Sequence, residues 1–152
     1  EMLVTTSLVK PESGDIVVFH QTSDIYTRFN EPLVKRIIAT EGQTVRIDYA
    51  KGKVYVDGVL IEEPYAHLLN SAGQDIGRWT QAPAYSFDFS TGIFETTVPE
   101  GCYFVMGDNR NNSADSRTSE IGMIDKRCVV GKAYVRIFPM NKFEVFENPR
   151  KK

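Results

Sequence analysis

Two stretches of this 152-residue chain hold side chains whose types and spacing could do chemistry. The first is Leu33-Val34-Lys35-Arg36-Ile37-Ile38-Ala39. Read as a strand, it alternates so that Leu33, Lys35, Ile37 and Ala39 share one face and Val34, Arg36 and Ile38 the other. Lys35 then stands between aliphatic neighbours. Such a lysine either snorkels to water from a half-exposed strand or loses its hydration. In the second case burial draws its pKa down from an ordinary value of roughly 10.4. A neutral amine at working pH is a competent general base.

The second stretch is Gly107-Asp108-Asn109-Arg110-Asn111-Asn112-Ser113-Ala114-Asp115-Ser116-Arg117. It carries two carboxylates, two guanidiniums, three Asn amides and two hydroxyls. In solvent it is a polar turn, since Asn, Asp, Gly and Ser are ordinary turn residues. Buried, it needs nearly every group paired, because an unpaired buried polar group costs roughly 1–3 kcal/mol. The apolar run Cys102 to Met106 leads directly into it, so a buried strand would deliver it. At a surface, Asp115 and Arg117 would be an i, i+2 pair worth about 0–1 kcal/mol. Asp108 and Asn109 suit a turn.

The elements that must position these groups read as strands. Asp15 to His20 is β-branched and aromatic. Gln21 to Pro32 is a polar connection, and its proline argues against a helix running into the lysine strand. Thr44 to Tyr49 follows the Glu41-Gly42 turn. Lys53 to Val56 and Val59 to Ile61 flank Asp57-Gly58, a hairpin signal. Residues 66–97 are less regular and hold Trp79, Tyr85, Phe87, Phe89 and Phe94. They read as an insertion with one or two short strands, its aromatics forming a small satellite core or an exposed contact surface. Cys102 to Met106 and Cys128 to Phe138 are expected as central strands, with Gly131 a bulge or close approach. Phe143 to Phe146 suits an edge strand. The reading is all-β: an antiparallel β domain over residues 1–65 and 98–147, the insertion 66–97 within it, and a basic tail, 148–152, expected to be solvated and frayed.

Composition narrows the function. Hydrophobic residues make up 41% and charged residues 25%, which fits a folded domain. The net charge is −2 with no basic block, so nucleic acid is not an expected partner. No apolar run approaches the ~18 residues of a membrane span. Two cysteines, Cys102 and Cys128, do not make a disulfide framework, and their spacing is not that of a zinc site. Buried free thiols or one disulfide remain open. No metal site and no cofactor is expected.

The order of these pieces adds a resemblance. GDIVVF, LVKRIIATEGQTV, KVYVDGVLIEEPY, VPEGCYFVMGDNRNNSADSR and VVGKAYVRIFP, in that sequence, resemble bacterial type I signal peptidases over most of residues 14–138. The resemblance implies a membrane-anchored serine protease with a Ser/Lys dyad. It would remove signal peptides from secretory preproteins on the outer side of the cytoplasmic membrane. Position by position, Lys35 matches the general base and Arg36 the arginine that follows it. Ser113 matches the hydroxyl that orients the lysine amine, and Asp115 and Arg117 an ion pair that holds the walls of the site. Gly107, Asp108, Asn109 and Arg110 match the residues that shape the turn. The substrate would lie extended along a strand edge, with Pro32, Leu33 and Val34 the candidate edge.

The chain departs from the family at the nucleophile, which lies in a motif of the form SMxPT. Neither Ser7 nor Ser13, the serines ahead of the Asp15–His20 strand, is followed by Met. The expectation is a fragment cut just downstream of the nucleophile and its membrane helix, itself inactive. The alternative is a homologue that has lost the serine and binds peptides or a partner. Self-cleaving SOS repressors are similar in the lysine strand but lack the GDNRNNSADSR stretch.

Overall fold

The computed structural model describes residues 2–20, 31–80, 83, 85–138, 141 and 143–151. The Gln21–Pro32 connection lies outside the described residues from 21 to 30. Twelve strands follow in order: β1 (Met2–Thr6), β2 (Ile16–Phe19), β3 (Leu33–Thr40), β4 (Thr44–Asp48), β5 (Lys53–Val56), β6 (Val59–Leu60), β7 (Phe87–Asp88), β8 (Ile93–Thr97), β9 (Cys102–Met106), β10 (Ile124–Asp125), β11 (Val129–Phe138) and β12 (Glu144–Val145). Among the described residues one short 3-10 turn, Lys126–Cys128, precedes β11, and its Arg127 N–H is capped by the Asp125 carboxylate. No helix of the described residues is long and apolar enough to cross a membrane.

All strand pairs are antiparallel. A seven-stranded sheet runs β1-β11-β2-β3-β9-β10, with β12 also on β11, and a five-stranded sheet runs β6-β5-β4-β8-β7. The two strands expected at the centre, β9 and β11, flank it instead, and β2 and β3 take the middle. β2 is a short apolar run buried throughout, and the apolar half of β3, Ile37 to Ala39, is buried beside it. Asp57 and Gly58 both have positive φ, 51° and 78°, as the two-residue β5–β6 hairpin requires.

Strict alternation fails at one place in β3. The β3–β9 register shifts between Ile37 and Ala39, so β3 carries one extra residue there. Ile37 keeps to the face of Lys35 and packs with Val17, Phe19 and Val105. Ile38 and Ala39 both turn to the opposite core, with Val45, Phe94 and Phe104. Ala39 therefore does not share the face of Lys35. One strand thus feeds two cores.

The aromatics of residues 66–97 do not build a core of their own. β8 pairs with β4, from Thr44 opposite Thr97 to Asp48 opposite Ile93, and so joins residues 93–97 to the second sheet. Phe94 is fully buried among Ile47, Phe104 and Met106, and Trp79, Tyr85 and Phe87 pack on that same cluster. The C-terminal tail is not frayed either. Asn148 Nδ2 donates to the Ser13 carbonyl at 3.0 Å and to Asp15 Oδ1 at 2.7 Å. Arg150 Nη1 donates to the Ile38 carbonyl at 2.8 Å, and Lys151 pairs with Glu12. Polar side chains with specific acceptors, absent from any composition argument, strap this end to the turn before β2.

Candidate active site

Lys35 leaves β3 on the face of Leu33 and Ile37, directly opposite Val17 of β2. These apolar neighbours remove water from the amine. Its Nζ donates to Ser113 Oγ at 3.0 Å, across 78 residues of sequence. Burial is the main cause that draws the Lys35 pKa below its ordinary value; Asp115 opposes it, Arg117 adds to it, and Asp108 opposes it.

Ser113 reaches this point because the polar stretch folds back along the end of β9. Ser116 N donates to the Val105 carbonyl at 3.0 Å, and Val105 N donates to Ser116 Oγ at 2.9 Å. Gly107 makes the approach possible: a Cβ there would lie 2.1 Å from Ser113 Oγ and 3.5 Å from Lys35 Nζ. Ser113 also lines an open cleft of about 370 Å³ with Asn111, Asn112, Thr118 and Glu120.

The stretch is a packed wall, not a solvated turn. Arg110, Asp115, Ser116 and Arg117 are fully buried. Arg117 Nε and Nη2 each meet one Asp115 oxygen at 2.8 Å, and Gly107 N donates to Asp115 Oδ2 at 3.0 Å. Burial would raise the Asp115 pKa, but the Arg117 guanidinium and the Gly107 and Arg117 N–H groups hold it below the ordinary carboxylate value. A fully desolvated pair of this kind differs from the surface pair that spacing alone allows.

Arg36 points to the other face. Its Nε and Nη2 clasp the two Asp108 oxygens at 2.9 and 2.8 Å, its Nη1 donates to the Gly14 carbonyl, and its guanidinium lies 3.9 Å from the Tyr65 ring centre. The pair ties the start of the polar stretch to β3 one residue from Lys35. Arg110 donates to the Gly107 carbonyl and, through its other nitrogens, to Glu63. Asn109 bridges by its backbone to His67, and its Oδ1 is buried with no partner among the described residues. Asn111 accepts from Thr80 N and donates to the Arg78 carbonyl.

Pro32 is exposed, and Leu33 and Val34 are half-buried. β2 pairs with Leu33 to Arg36, but β9 pairs only from Arg36 onward. Among the described strands, the β9 side of Leu33 to Lys35 is left without a partner. Because Ile37 N donates toward β2, alternation turns the Val34 N–H and carbonyl to that open side.

Of the upstream serines, Ser7 is exposed and Ser13 is engaged, its Oγ donating to the Ile38 carbonyl at 2.8 Å. Thr6, Lys132, Val17 and Lys35 form one row across four adjacent strands. Along the sheet, Ser7 therefore starts roughly 14 Å from the Lys35 backbone at about 4.8 Å per strand. Both cysteines are half-buried, not buried. Among the described residues no cluster of His, Cys, Asp and Glu could hold a metal ion. Sequence reasoning missed Glu63, Tyr65 and Tyr85, whose hydroxyl donates to the Ser116 carbonyl. A second acidic residue in Glu62-Glu63-Pro64-Tyr65 was the available signal for Glu63.

The chain is similar to known proteins in sequence and in fold. A family model described as signal peptidase, peptidase S26, matches residues 1–138. A probable signal peptidase I-2 of Synechocystis sp. is 33% identical over 138 residues, covering 90% of this chain and 53% of that protein. Signal peptidase IB of Staphylococcus aureus is 32% identical over 149 residues, covering 91% of this chain and 66% of that protein. The chain thus spans between about half and two thirds of the length of these curated relatives. The crystal structure of a signal peptidase I from Enterococcus faecalis V583 superposes with a TM-score of 0.55 at 34% identity, covering 83% of this chain and 98% of that one.

Proposed function

The chain belongs to the signal peptidase family, peptidase S26, and on that premise we propose that it forms the catalytic β domain of an endopeptidase that removes signal peptides from exported proteins. The observation that carries this reading is the Lys35 amine: half-buried, drawn toward neutrality by burial, and aimed by a hydrogen bond to Ser113. Neutral Lys35 takes the proton of a serine hydroxyl as that oxygen attacks the carbonyl carbon at the cleavage site. It then returns the proton to the leaving amine. Ser113 orients the amine, and the Asp115–Arg117 and Arg36–Asp108 pairs hold the walls around it.

The unpaired side of Leu33 to Lys35 supports an extended substrate that pairs by its backbone with Val34. Such a substrate passes beside the base. No serine of the 152 residues precedes a methionine, so the attacking serine belongs to an SMxPT box outside them, and the chain alone hydrolyses nothing. The whole protein is held to the membrane and works on its extracytoplasmic side, on secretory preproteins.

The test is cleavage of a peptide with small residues at the first and third positions before the cut. The 152-residue chain is compared with one carrying the native SMxPT box upstream. Only the longer chain should cleave, and both Lys35→Ala and Lys35→Arg should abolish turnover, since a guanidinium stays protonated. Cleavage by the short chain that disappears with Ser7→Ala would move the nucleophile to Ser7. A longer chain that binds the peptide without cleaving it would make this a peptide-binding module.

A further inference from the structure

The Gly107 peptide is gripped at both ends. Its N–H donates to Asp115, and its carbonyl accepts from Arg110 Nε at 3.0 Å. Arg110 is fully buried, and its Nη1 and Nη2 meet the two Glu63 oxygens at 2.9 and 2.6 Å. Glu63 follows β6, at the exit of the second sheet, and lies 47 positions before Arg110. The same junction is stitched by backbone: His67 N donates to the Asp108 carbonyl at 2.8 Å, and Arg110 N to the His67 carbonyl at 2.9 Å. Between the two grips, Gly107 abuts Ser113, the acceptor of the Lys35 amine.

We propose that Glu63 is a positioning residue for the Lys35–Ser113 contact, acting through Arg110 and the Gly107 carbonyl. The proposal rests on the reading of Lys35 as a general base. A guanidinium presents its donors in a rigid fork. With two nitrogens fixed on Glu63, the third has one direction left, and that direction holds the Gly107 carbonyl. Without the carboxylate, a fully buried cation is left uncompensated. Arg110 then turns to another acceptor, Gly107 is released, and Ser113 moves off the amine. The charged groups that bear directly on Lys35 are Asp115, Arg117 and Asp108; Glu63 reaches it through contacts.

The experiment follows the Lys35 amine by NMR titration in the 152-residue chain. Glu63→Gln should move its midpoint down by about one pH unit, because the ammonium loses the Ser113 oxygen that accepts from it. Arg110→Lys, which keeps a cation opposite Glu63 but has no fork, should do the same. Arg46→Ala, at an exposed pair with Glu95, should leave the midpoint in place. A Glu63→Gln chain with a lower Tm and an unchanged Lys35 midpoint would overturn the proposal, reducing the pair to a structural one. If Glu63→Gln does not fold, Arg110→Lys decides by the same criterion. In the longer chain, both variants should lower kcat about 100-fold near neutral pH with little change in KM, and should shift the pH profile in the same direction. An unchanged kcat and profile would overturn the proposal as well. The titration needs no peptidase activity. An inactive wild-type longer chain therefore defeats the peptidase reading while the midpoint still decides the role of Glu63.

Discussion

Gly107 and Ser113 pack so closely that a methyl group on Gly107 would sit 2.1 Å from the serine oxygen. The Gly107→Ala chain must push Ser113 aside, and overpacking of this kind costs about 1–3 kcal/mol. Thermal unfolding should show the loss. An NMR titration should show the Lys35 midpoint fall further, since the ammonium loses the Ser113 oxygen that accepts from it. A methyl accommodated without either change would mean the turn is softer than its packing indicates.

Asp115→Asn breaks a fully buried ion pair. Removing one partner of such a pair costs about 3–5 kcal/mol, because the Arg117 charge is left uncompensated. The pH dependence has a definite sign. The Asp115 pKa in the folded chain lies below its ordinary 3.8. The pair therefore stabilises fully above that ordinary value, and its contribution fades as pH falls through the lowered folded value. Urea unfolding from about pH 6 to about pH 2 should show this fall in the wild type. The Asp115→Asn chain should lack that component.

Lys35 gives stability the same sign of pH dependence in a higher window, but its charged form destabilises the fold. Its folded pKa lies below the ordinary 10.5. Between the two values the unfolded chain binds a proton that the folded chain does not, so stability rises with pH across that window. Below the window the fold carries a desolvated cation. Lys35→Met should be more stable than the wild type near neutral pH, and the difference should shrink toward pH 10.5. Equal stabilities across the range would place the amine in water.

The C-terminal strap has its own test. Asn148 holds the Ser13 carbonyl and the Asp15 carboxylate. Asn148→Ala takes a donor from the Ser13 carbonyl, at about 1–3 kcal/mol if it stays buried, while Asp15 Oδ1 keeps Lys132 Nζ at 2.8 Å. The urea midpoint should drop with no change in m, since the surface exposed on unfolding stays almost the same.

Much of this architecture was legible from local pattern. The β-branched runs gave the strands, Asp57-Gly58 gave the hairpin, and the aliphatic neighbours of Lys35 left a desolvated amine as one of two readings beside a snorkelling one. What escaped depended on partners far along the chain. Glu63 reads as a polar residue leaving a hairpin until Arg110 is folded beside it. Phe94 reads as a loop aromatic until β8 finds β4. The extra residue at Ile38 breaks an alternation that the sequence LVKRIIA shows without interruption, because only the register against β9 reveals it. The tail reads as basic and solvated because hydrogen-bond acceptors such as the Ile38 carbonyl have no signature in sequence.

The separation of Lys35 from Ser113 also sets a clock. A ribosome adding roughly 5–20 residues per second takes about 4–16 s to pass from one to the other, for they stand 78 positions apart. During that interval β2 and β3 can form a hairpin, but β9 has not arrived to cover it. The lysine is still wet and protonated, and nothing aims it. The Lys35–Ser113 contact comes into being only when most of the 152 residues have been made and folded. A truncated or misfolded copy therefore holds an ordinary lysine.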